Sequence, residues 1–245
     1  MKKIIFLFVV SFIIFSCSEN KLSSDLPLER KMEIGNEYFQ KGKYNKAIPY
    51  YSDIVFERNS SFTAEAQAKL ADCYFHLHKY TDARFEYQEL IRLFPDYQDI
   101  GKAYFRIGVC YYKESLAPPY TQEETEKAIE SFQTFLEKFP FDERKEKAIE
   151  YIRKCNYKLL EKKFMNGLTY YKIYDYSAAL MYFEEIIALG NHDDLDLKSL
   201  YYSAKIYYVR KDWKNLEQIG KKILEKYPDS KQAKKVRKLL KKISK

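Results

Sequence analysis

Hydrophobic positions recur along the chain in one pattern that returns five times. Each copy has a small residue with a tyrosine three positions later, followed by a second group of apolar residues at a similar distance. In four copies that second group is an alanine, an aromatic residue and an apolar residue, four and then three positions apart. Spacings of three and four place side chains on one face of a helix, so the pattern predicts two helices per copy. The small residues that open the copies are Gly35, Ala71, Gly108, Gly167 and Ala204.

The pattern resembles the tetratricopeptide repeat, a helix–turn–helix unit of about 34 residues. In such a unit the small residue lets helix A approach helix B, aromatic residues fill the space between them, and an aromatic-Pro pair ends the unit. The resemblance implies an all-α fold, a tetratricopeptide-like helix–turn–helix solenoid of about five repeats. It also predicts substantial burial of the repeat tyrosines, which are Tyr38, Tyr74, Tyr111, Tyr170 and Tyr207.

The spacing between copies divides the chain. Equivalent positions lie 36, 37, 59 and 37 residues apart. The predicted repeats span about 28–60, 64–97, 101–141, 142–192 and 197–230, and a basic helix follows over 230–245. The long step contains an insertion at 114–121, where two prolines forbid a continuous helix. It also contains a charged stretch with apolar residues at helical spacing, which predicts one long helix from about 142 to Tyr174.

Two local signals predict where helices begin. Thr121 followed by Glu124 fits a capping box for the helix after the insertion. Pro49 lies in the second helix of the first copy, and proline is favoured at the first helical position. We therefore expect that helix to start at Pro49.

The first residues form a targeting signal rather than part of the fold. Two lysines precede an apolar run of 12 residues, which as a helix would span about 18 Å and fall short of a membrane core. Residues 1–16 are therefore predicted to be a signal peptide. The sequence Ile-Phe-Ser-Cys17 at its end resembles the lipobox of bacterial lipoproteins. That resemblance implies lipidation of Cys17 and a polar tether over 17–27; a secreted protein with a chance cysteine is the alternative.

Composition and motifs give no sign of an enzyme. Three histidines in 245 residues leave little material for histidine-based chemistry, and no P-loop, G-x-S-x-G or metal-ligand spacing occurs in the sequence. His76 and His78 fit the end of a helix better than a metal site. Enzymatic activity, a cofactor and a metal are not expected. The remaining cysteines lie among apolar residues and are predicted to be free core thiols: Cys73, Cys110 and Cys155.

The inner, concave surface of such a solenoid is lined by helix A of each repeat. The position after every repeat tyrosine is aromatic in all five copies, and tyrosine and phenylalanine suit an extended or apolar-rich peptide. We expect these rings, together with aromatic residues seven positions earlier, to bind partner proteins; the alternative is that they thicken the core. The predicted protein-binding residues are Phe39, Phe75, Tyr112, Tyr171 and Tyr208, with Phe105, Phe164 and Tyr201 in the earlier position.

Positive charge is concentrated at the C-terminus. Residues 210–245 hold 14 Lys and Arg against four Asp and Glu, whereas residues 17–209 hold 27 against 31. The terminal helix is predicted to be a solvated capping helix, and contact with anionic lipid or an acidic partner is the alternative. Nucleic acid is not an expected partner of an exported protein, despite a pI near 9.0.

The mature chain as a whole resembles the BamD family, lipoprotein subunits of the machinery that assembles outer-membrane β-barrels. The likeness rests on the lipobox, the copies that end in an aromatic-Pro pair, the insertion in the third copy, and the Tyr170-Tyr171-Lys172 run of the fourth. Two features depart from the family. The first copy has no aromatic-Pro pair after Phe56, and Met181-Tyr182 occupies a site where the family often has Asn-Arg.

The resemblance implies a lipid-anchored location at the outer membrane, facing the periplasm. It implies two protein partners: a BamA-like barrel protein, held through its periplasmic domains by the C-terminal repeats, and unfolded outer-membrane proteins, received by the N-terminal repeats. The alternative function is that of a generic tetratricopeptide lipoprotein that scaffolds cell-envelope or peptidoglycan-processing proteins.

Overall fold

Residues 26–58 and 60–243 are described by the computed structural model of the chain, and within them eleven helices form and no strand. Consecutive helices pack against each other along the whole series, so the chain forms five helix pairs with a further helix at the end. The predicted all-α, tetratricopeptide-like solenoid is confirmed. The helices are α1 (Leu28–Gln40), α2 (Tyr44–Glu57), α3 (Thr63–His76), α4 (Tyr80–Leu93), α5 (Ile100–Glu114), α6 (Glu123–Lys138), α7 (Lys145–Lys172), α8 (Tyr176–Ala188), α9 (Asp194–Val209), α10 (Trp213–Lys226) and α11 (Lys231–Ile243). The first helix of each pair is called helix A and the second helix B.

A close contact between a small residue of helix A and an aromatic ring of helix B holds the pairs together. At Gly108 a Cβ atom would lie 2.7 Å from the Phe132 ring, far inside van der Waals contact. Only a hydrogen atom fits there, so the ring sets how closely the two helices approach. The same contact recurs in the first and fourth pairs. A Cβ atom added to Gly35 would lie 2.8 Å from the Tyr51 ring, and one added to Gly167 would lie 2.7 Å from the Phe183 ring.

The repeat tyrosines lie beside these contacts rather than at their centre. All five are half-buried and pack against the hydrophobic clusters between successive helices. Two of the hydroxyls have polar partners: Tyr111 accepts a hydrogen bond from Arg84 at 3.1 Å, and Tyr207 donates one to Glu184 at 2.9 Å. None of the five is exposed, in agreement with the predicted substantial burial, and none is fully buried. The fully buried ring of each of the first four pairs comes from helix B: Tyr51, Tyr87, Phe132 and Phe183.

A residue in the left-handed conformation closes the turn from helix A to helix B in four pairs. The amide after it donates to the carbonyl of the repeat tyrosine, for example from Lys43 to Tyr38 at 2.8 Å, which is the long-range bond of a Schellman motif. Glycine supplies this conformation in the first pair, at Gly42 with φ 66°. The later turns place side-chain-bearing residues there, at a cost of about 1 kcal/mol each: His78, Tyr174 and Lys211.

The expected start of the second helix is wrong. α2 begins at Tyr44, and Pro49 lies inside it. Proline has no N–H to donate to the carbonyl four residues earlier, so one bond of the helical ladder is missing at Asn45. The short loop after α1 forces the helix to begin early, and the helix continues past the proline because its apolar face is packed on the core.

The expected capping box at Thr121 is also wrong. The residue before α6 is Gln122, and no side chain caps the helix. The buried Gln122 amide instead donates to the backbone carbonyls of Ala117 and Tyr120, and its oxygen accepts a hydrogen bond from Thr125 at 2.8 Å. This side chain therefore ties the insertion to α6.

The predicted long helix is α7. It has 28 residues where the other helices have 13 to 16, which corresponds to a length of about 42 Å. Its first half packs on the third pair through Ala148 and Cys155, and its second half packs on α8 through Phe164 and Gly167. α7 thus covers the third pair with its first half. With its second half, farther along its axis, it forms helix A of the fourth pair.

The remaining cysteines are free and buried, as predicted. Burial raises the pKa of Cys155 to about 11 and the pKa values of Cys73 and Cys110 to about 12. These thiols are protonated at neutral pH and pack as small apolar groups.

The basic terminal helix closes the end of the stack. α11 packs against α9 and α10, and it buries Ala233 and Val236 in the last hydrophobic cluster. Most of its lysines are exposed to solvent, so the side chains that give the C-terminus its charge take no part in the core.

The contact at Gly108 predicts that Gly108→Ala lowers the free energy of unfolding by about 1–2 kcal/mol, because the added methyl group overpacks the Phe132 ring by more than the gain in helix propensity offsets. Urea unfolding measures this change. In the Phe132→Leu background the same substitution should cost much less, because the smaller side chain leaves room. Equal costs in both backgrounds would contradict the contact.

Candidate protein-binding face

From the third pair onward the stack closes up along helices A. α5 contacts α7, α7 contacts α9, and α9 contacts the terminal helix α11, whereas no two helices B of the described residues pack comparably. A stack whose units approach more closely on one side curves toward that side. Helices A therefore line the inner, concave face, and the aromatic column predicted from the sequence lies on these helices.

A cation from the following helix A covers each of the first three rings of the column. The distances to the ring centres are 4.8 Å, 4.0 Å and 5.3 Å, which is the range of cation–π contacts. These three contacts form a row across α1, α3, α5 and α7, which we name the N-terminal strip. It consists of Lys69 over Phe39, Arg106 over Phe75 and Lys158 over Tyr112.

The second half of the face has a similar arrangement around Lys205. Its ammonium group lies 4.8 Å from the Tyr171 ring, 5.2 Å from Tyr202 and 6.0 Å from Tyr201. Partial burial lowers the pKa of Lys205, but the Tyr171 hydroxyl and the other nearby phenols raise it by more, so its pKa lies above the ordinary value. Lys235 of α11 adds a contact at 5.5 Å to Tyr201. These five residues are the C-terminal cluster.

The length of α7 separates the two surfaces. Lys158 of the N-terminal strip and Tyr171 of the C-terminal cluster both belong to α7 and are 13 residues apart. That difference corresponds to about 20 Å along the helix axis. The inner face therefore presents two separate surfaces rather than one continuous row of rings.

The rings of the aromatic column are half-buried, and four of them pack against the residue that starts the following helix B. The ring centres are 5.3 to 6.0 Å apart in the pairs Phe39–Tyr44, Phe75–Tyr80, Tyr171–Tyr176 and Tyr208–Trp213. Each of these rings thus contributes to packing while its edge or face lies on the inner surface. A role of the column in binding partners stays a prediction.

Phe105 and Phe164 were predicted to bind partner proteins, but the structure places both in the core. Each exposes 7% of its surface. The Phe105 ring lies 5.7 Å from Phe132 and 5.6 Å from Phe135, and the Phe164 ring lies 5.6 Å from Phe183. These two rings thicken the core, as the alternative interpretation states, whereas the third residue of that position, Tyr201, is half-buried on the face.

The cations of the inner face lack acidic partners. None of the five lysine and arginine side chains of the strip and the cluster forms an ion pair with a carboxylate within the described residues; Lys158 donates instead to the Ser115 hydroxyl at 2.6 Å. Neighbouring cations do form ion pairs, such as Lys102 with Asp72 at 2.6 Å. Because no carboxylate in the described part of the chain lies within ion-pair distance of these five groups, each of them can accept an acidic group of a partner.

Sequence reasoning missed a pocket on the opposite side of the first two pairs. The pocket has a volume of about 720 Å³, and Phe56 and Phe85 on its rim are 85% and 59% exposed. The second pair ends in Phe94 before a proline, and that ring is half-buried. The first pair has no such ending, so its last aromatic residue points outward. The missing aromatic-Pro pair was the signal for this pocket.

Several predicted features fall outside the described residues. Cys17 and the signal peptide are among them, together with the tether up to residue 25. In the part of the chain that is described, no helix combines the length and apolar character needed to cross a membrane. Nor do three or more His, Cys, Asp or Glu side chains come together there as a metal site would require.

Comparison with known families identifies the repeats. Residues 32–98 and residues 102–142 each match a family described as tetratricopeptide repeat. The fourth pair lies beyond the matched residues, but its Gly167–Phe183 contact repeats the one between Gly108 and Phe132. The tetratricopeptide architecture therefore continues past the matched stretches.

One similar protein is the outer membrane protein assembly factor BamD of Rickettsia prowazekii. It is 27% identical over 184 residues, which cover 74% of this chain and 73% of that protein. Similar solved structures include the tetratricopeptide TPR2AB domain of yeast Sti1 in complex with pHSP90, at 17% identity and a TM-score of 0.47, covering 84% of this chain and 80% of that one. A tetratricopeptide repeat protein from Parabacteroides merdae is 15% identical with a TM-score of 0.38, covering 89% of this chain and 75% of that one.

The packing of the column predicts that Phe75→Ala lowers the free energy of unfolding by about 2 kcal/mol, because its ring packs against two hydrophobic clusters. Phe56→Ala serves as a matched control: it removes the same atoms from an exposed site and should change stability by less than about 0.5 kcal/mol. Urea unfolding compares the two variants. A similar loss for both would show that Phe75 is not part of the packing.

Proposed function

We propose that this protein is a protein-binding lipoprotein scaffold of the β-barrel assembly machinery at the outer membrane. Its partners are a BamA-like barrel protein and unfolded outer-membrane proteins. The observation that carries the proposal is the similarity to an outer membrane protein assembly factor over about three quarters of both chains, at 27% identity. The signal peptide and lipobox predicted from the sequence are consistent with it.

The two surfaces of the inner face support a scaffold with two partners. The N-terminal strip and the C-terminal cluster are separated by about 20 Å along α7, so two ligands can occupy the face at the same time. In this proposal the N-terminal strip receives unfolded barrel proteins. The C-terminal cluster, together with α11, holds the periplasmic domains of the barrel protein.

The chemistry of the inner face suits binding rather than catalysis. The polar groups of the N-terminal strip and the C-terminal cluster are lysines, an arginine and tyrosine hydroxyls, and catalysis of group transfer needs a nucleophile with a base beside it. The buried cysteines have raised pKa values and are therefore weak nucleophiles. The proposal accordingly includes no enzymatic activity, no cofactor and no nucleic-acid partner.

A generic tetratricopeptide lipoprotein that scaffolds cell-envelope or peptidoglycan-processing proteins is the alternative function. The same inner face would serve it, because neither the strip nor the cluster contains a group specific to barrel proteins. The two functions differ in the partner that accompanies the protein.

The lipid anchor predicts that Cys17→Ser releases the protein from membranes into the soluble envelope fraction, because the acyl chains are lost with the thiol that carries them. Fractionation followed by immunoblotting measures the distribution. Cys155→Ser is a matched control that removes a buried thiol and leaves the lipobox intact. If the Cys17 variant stays with membranes after a salt wash while the control behaves like the wild type, the anchor is disproved.

The assembly role predicts that affinity purification of the tagged protein from detergent-solubilised membranes recovers a large outer-membrane barrel protein. Mass spectrometry identifies the recovered proteins, and the Cys17→Ser variant serves as the control because it should recover much less of a membrane partner. Recovery of peptidoglycan-processing proteins without a barrel protein would favour the alternative function.

A further inference from the structure

The N-terminal strip presents three cations to a partner rather than three aromatic surfaces. Each ring face that looks toward the inner surface is covered by the charged group of the next helix A, at 4.0 to 5.3 Å from the ring centre. The first two rings are also backed by the aromatic residues Tyr44 and Tyr80. Lys69, Arg106 and Lys158 are half-buried, as are the rings that they cover, so each cationic residue stays partly accessible to a partner.

These cations are held in place but not neutralised. Contact with the rings restricts the long side chains of Lys69, Arg106 and Lys158 to a few conformations, so less side-chain entropy is lost when a ligand binds them. No carboxylate of the described residues forms an ion pair with any of the three, and Lys158 keeps donors free besides the one it gives to Ser115. A restrained, unpaired cation is a ready partner for a carboxylate on another molecule.

The spacing of the strip matches one kind of extended chain. One cation comes from each of α3, α5 and α7; side chains of α3 and α5 share a hydrophobic cluster, and α5 contacts α7, an arrangement in which helix axes lie about 8–10 Å apart. A polyproline II segment advances about 9 Å in one turn of three residues, and every third side chain points in the same direction. A strand does not match as well, because side chains three positions apart point to opposite sides.

We propose that the N-terminal strip binds an internal, extended segment of a partner protein that carries carboxylates at every third position. This inference rests on the proposed scaffold function and specifies the chemistry of the partner at the N-terminal half. Lys69, Arg106 and Lys158 each donate a charge-assisted hydrogen bond to one carboxylate, and the rings beneath them hold the donors in register. A flat bilayer does not reach a concave face, so the ligand is a protein segment rather than a membrane.

Binding of capped peptides to the purified full-length protein tests the proposal by fluorescence anisotropy. The probe consists of repeats of Glu-Pro-Pro with an acetylated N-terminus and an amidated C-terminus, so that no terminal charge contributes. One control peptide has Gln in place of every Glu, and another has the same Glu and Pro residues with the Glu gathered in a block. The repeating Glu peptide should bind at least about tenfold more tightly than either control, and salt should weaken its binding.

A triple variant, Lys69→Gln with Arg106→Gln and Lys158→Gln, should lose at least about tenfold in affinity for the repeating Glu peptide. The matched control removes three other cations that lie 5.6 to 6.0 Å from tyrosine rings outside the strip, and it should stay within about twofold of the wild type. It consists of Lys46→Gln, Lys79→Gln and Lys138→Gln. Circular dichroism confirms that both variants are folded, and a single Arg106→Lys substitution should retain most of the binding.

Three outcomes would overturn the proposal. They are equal binding of the Glu and Gln peptides, equal binding of the repeating and block peptides, and equal losses in the strip and control variants. Loss of binding to anionic phosphatidylglycerol vesicles, with unchanged peptide binding, would also overturn it by assigning the strip to lipid. If the peptide fails to bind while the tagged protein still recovers its barrel partner, the inference fails and the proposed function stands.

Discussion

The contact between a residue with little or no side chain on helix A and an aromatic ring on helix B determines the geometry of this protein. Gly108 shows the constraint most clearly, because a single added carbon would lie 2.7 Å from the Phe132 ring. The ring is fully buried, and burial of a side chain of this size contributes about 1.5–3 kcal/mol. The same contact recurs in the first and fourth pairs, so it sets a close approach of helix A and helix B in three of the five pairs.

The composition of the inner face follows from that contact. Because helix B supplies the fully buried ring of each of the first four pairs, the aromatic column of helices A is left at the margins of the core, half-buried. A half-buried ring on one helix A offers its face to the next, and a long cationic side chain can cover it while its charged end stays near solvent. Rings that stabilise the stack thereby also hold the charges that the protein presents to a partner.

The length of α7 divides these charges between two places. A solenoid with equal repeats would carry one continuous row of cations, whereas α7 packs on the third pair with its first half and on the fourth pair with its second half. The two surfaces are about 20 Å apart along the axis of α7. Because α7 is one continuous helix, this distance is fixed without a flexible link. The Gln122 side chain ties the insertion to α6, the helix that precedes α7. Two surfaces at a set distance are what a scaffold for two partners requires.

The sequence by itself determined the all-α fold, the five helix pairs and the long helix, because these depend on spacings of three and four residues within single helices. The small residues and the rings that meet them could be paired from their positions in the repeats, 16 residues apart except in the third pair, where the insertion extends the distance to 24. Local rules failed where packing overruled them: α2 continues through Pro49, and no side chain caps α6, because Gln122 binds the insertion instead. Only the tertiary structure decided which aromatic residues of helix A are core, as Phe105 is, and which lie on the inner face. It alone revealed the cations over the rings, since the two members of each contact in the strip are 30 to 46 residues apart. Such contacts depend on how one helix lies across another, and the periodicity of a single helix contains no information about that angle.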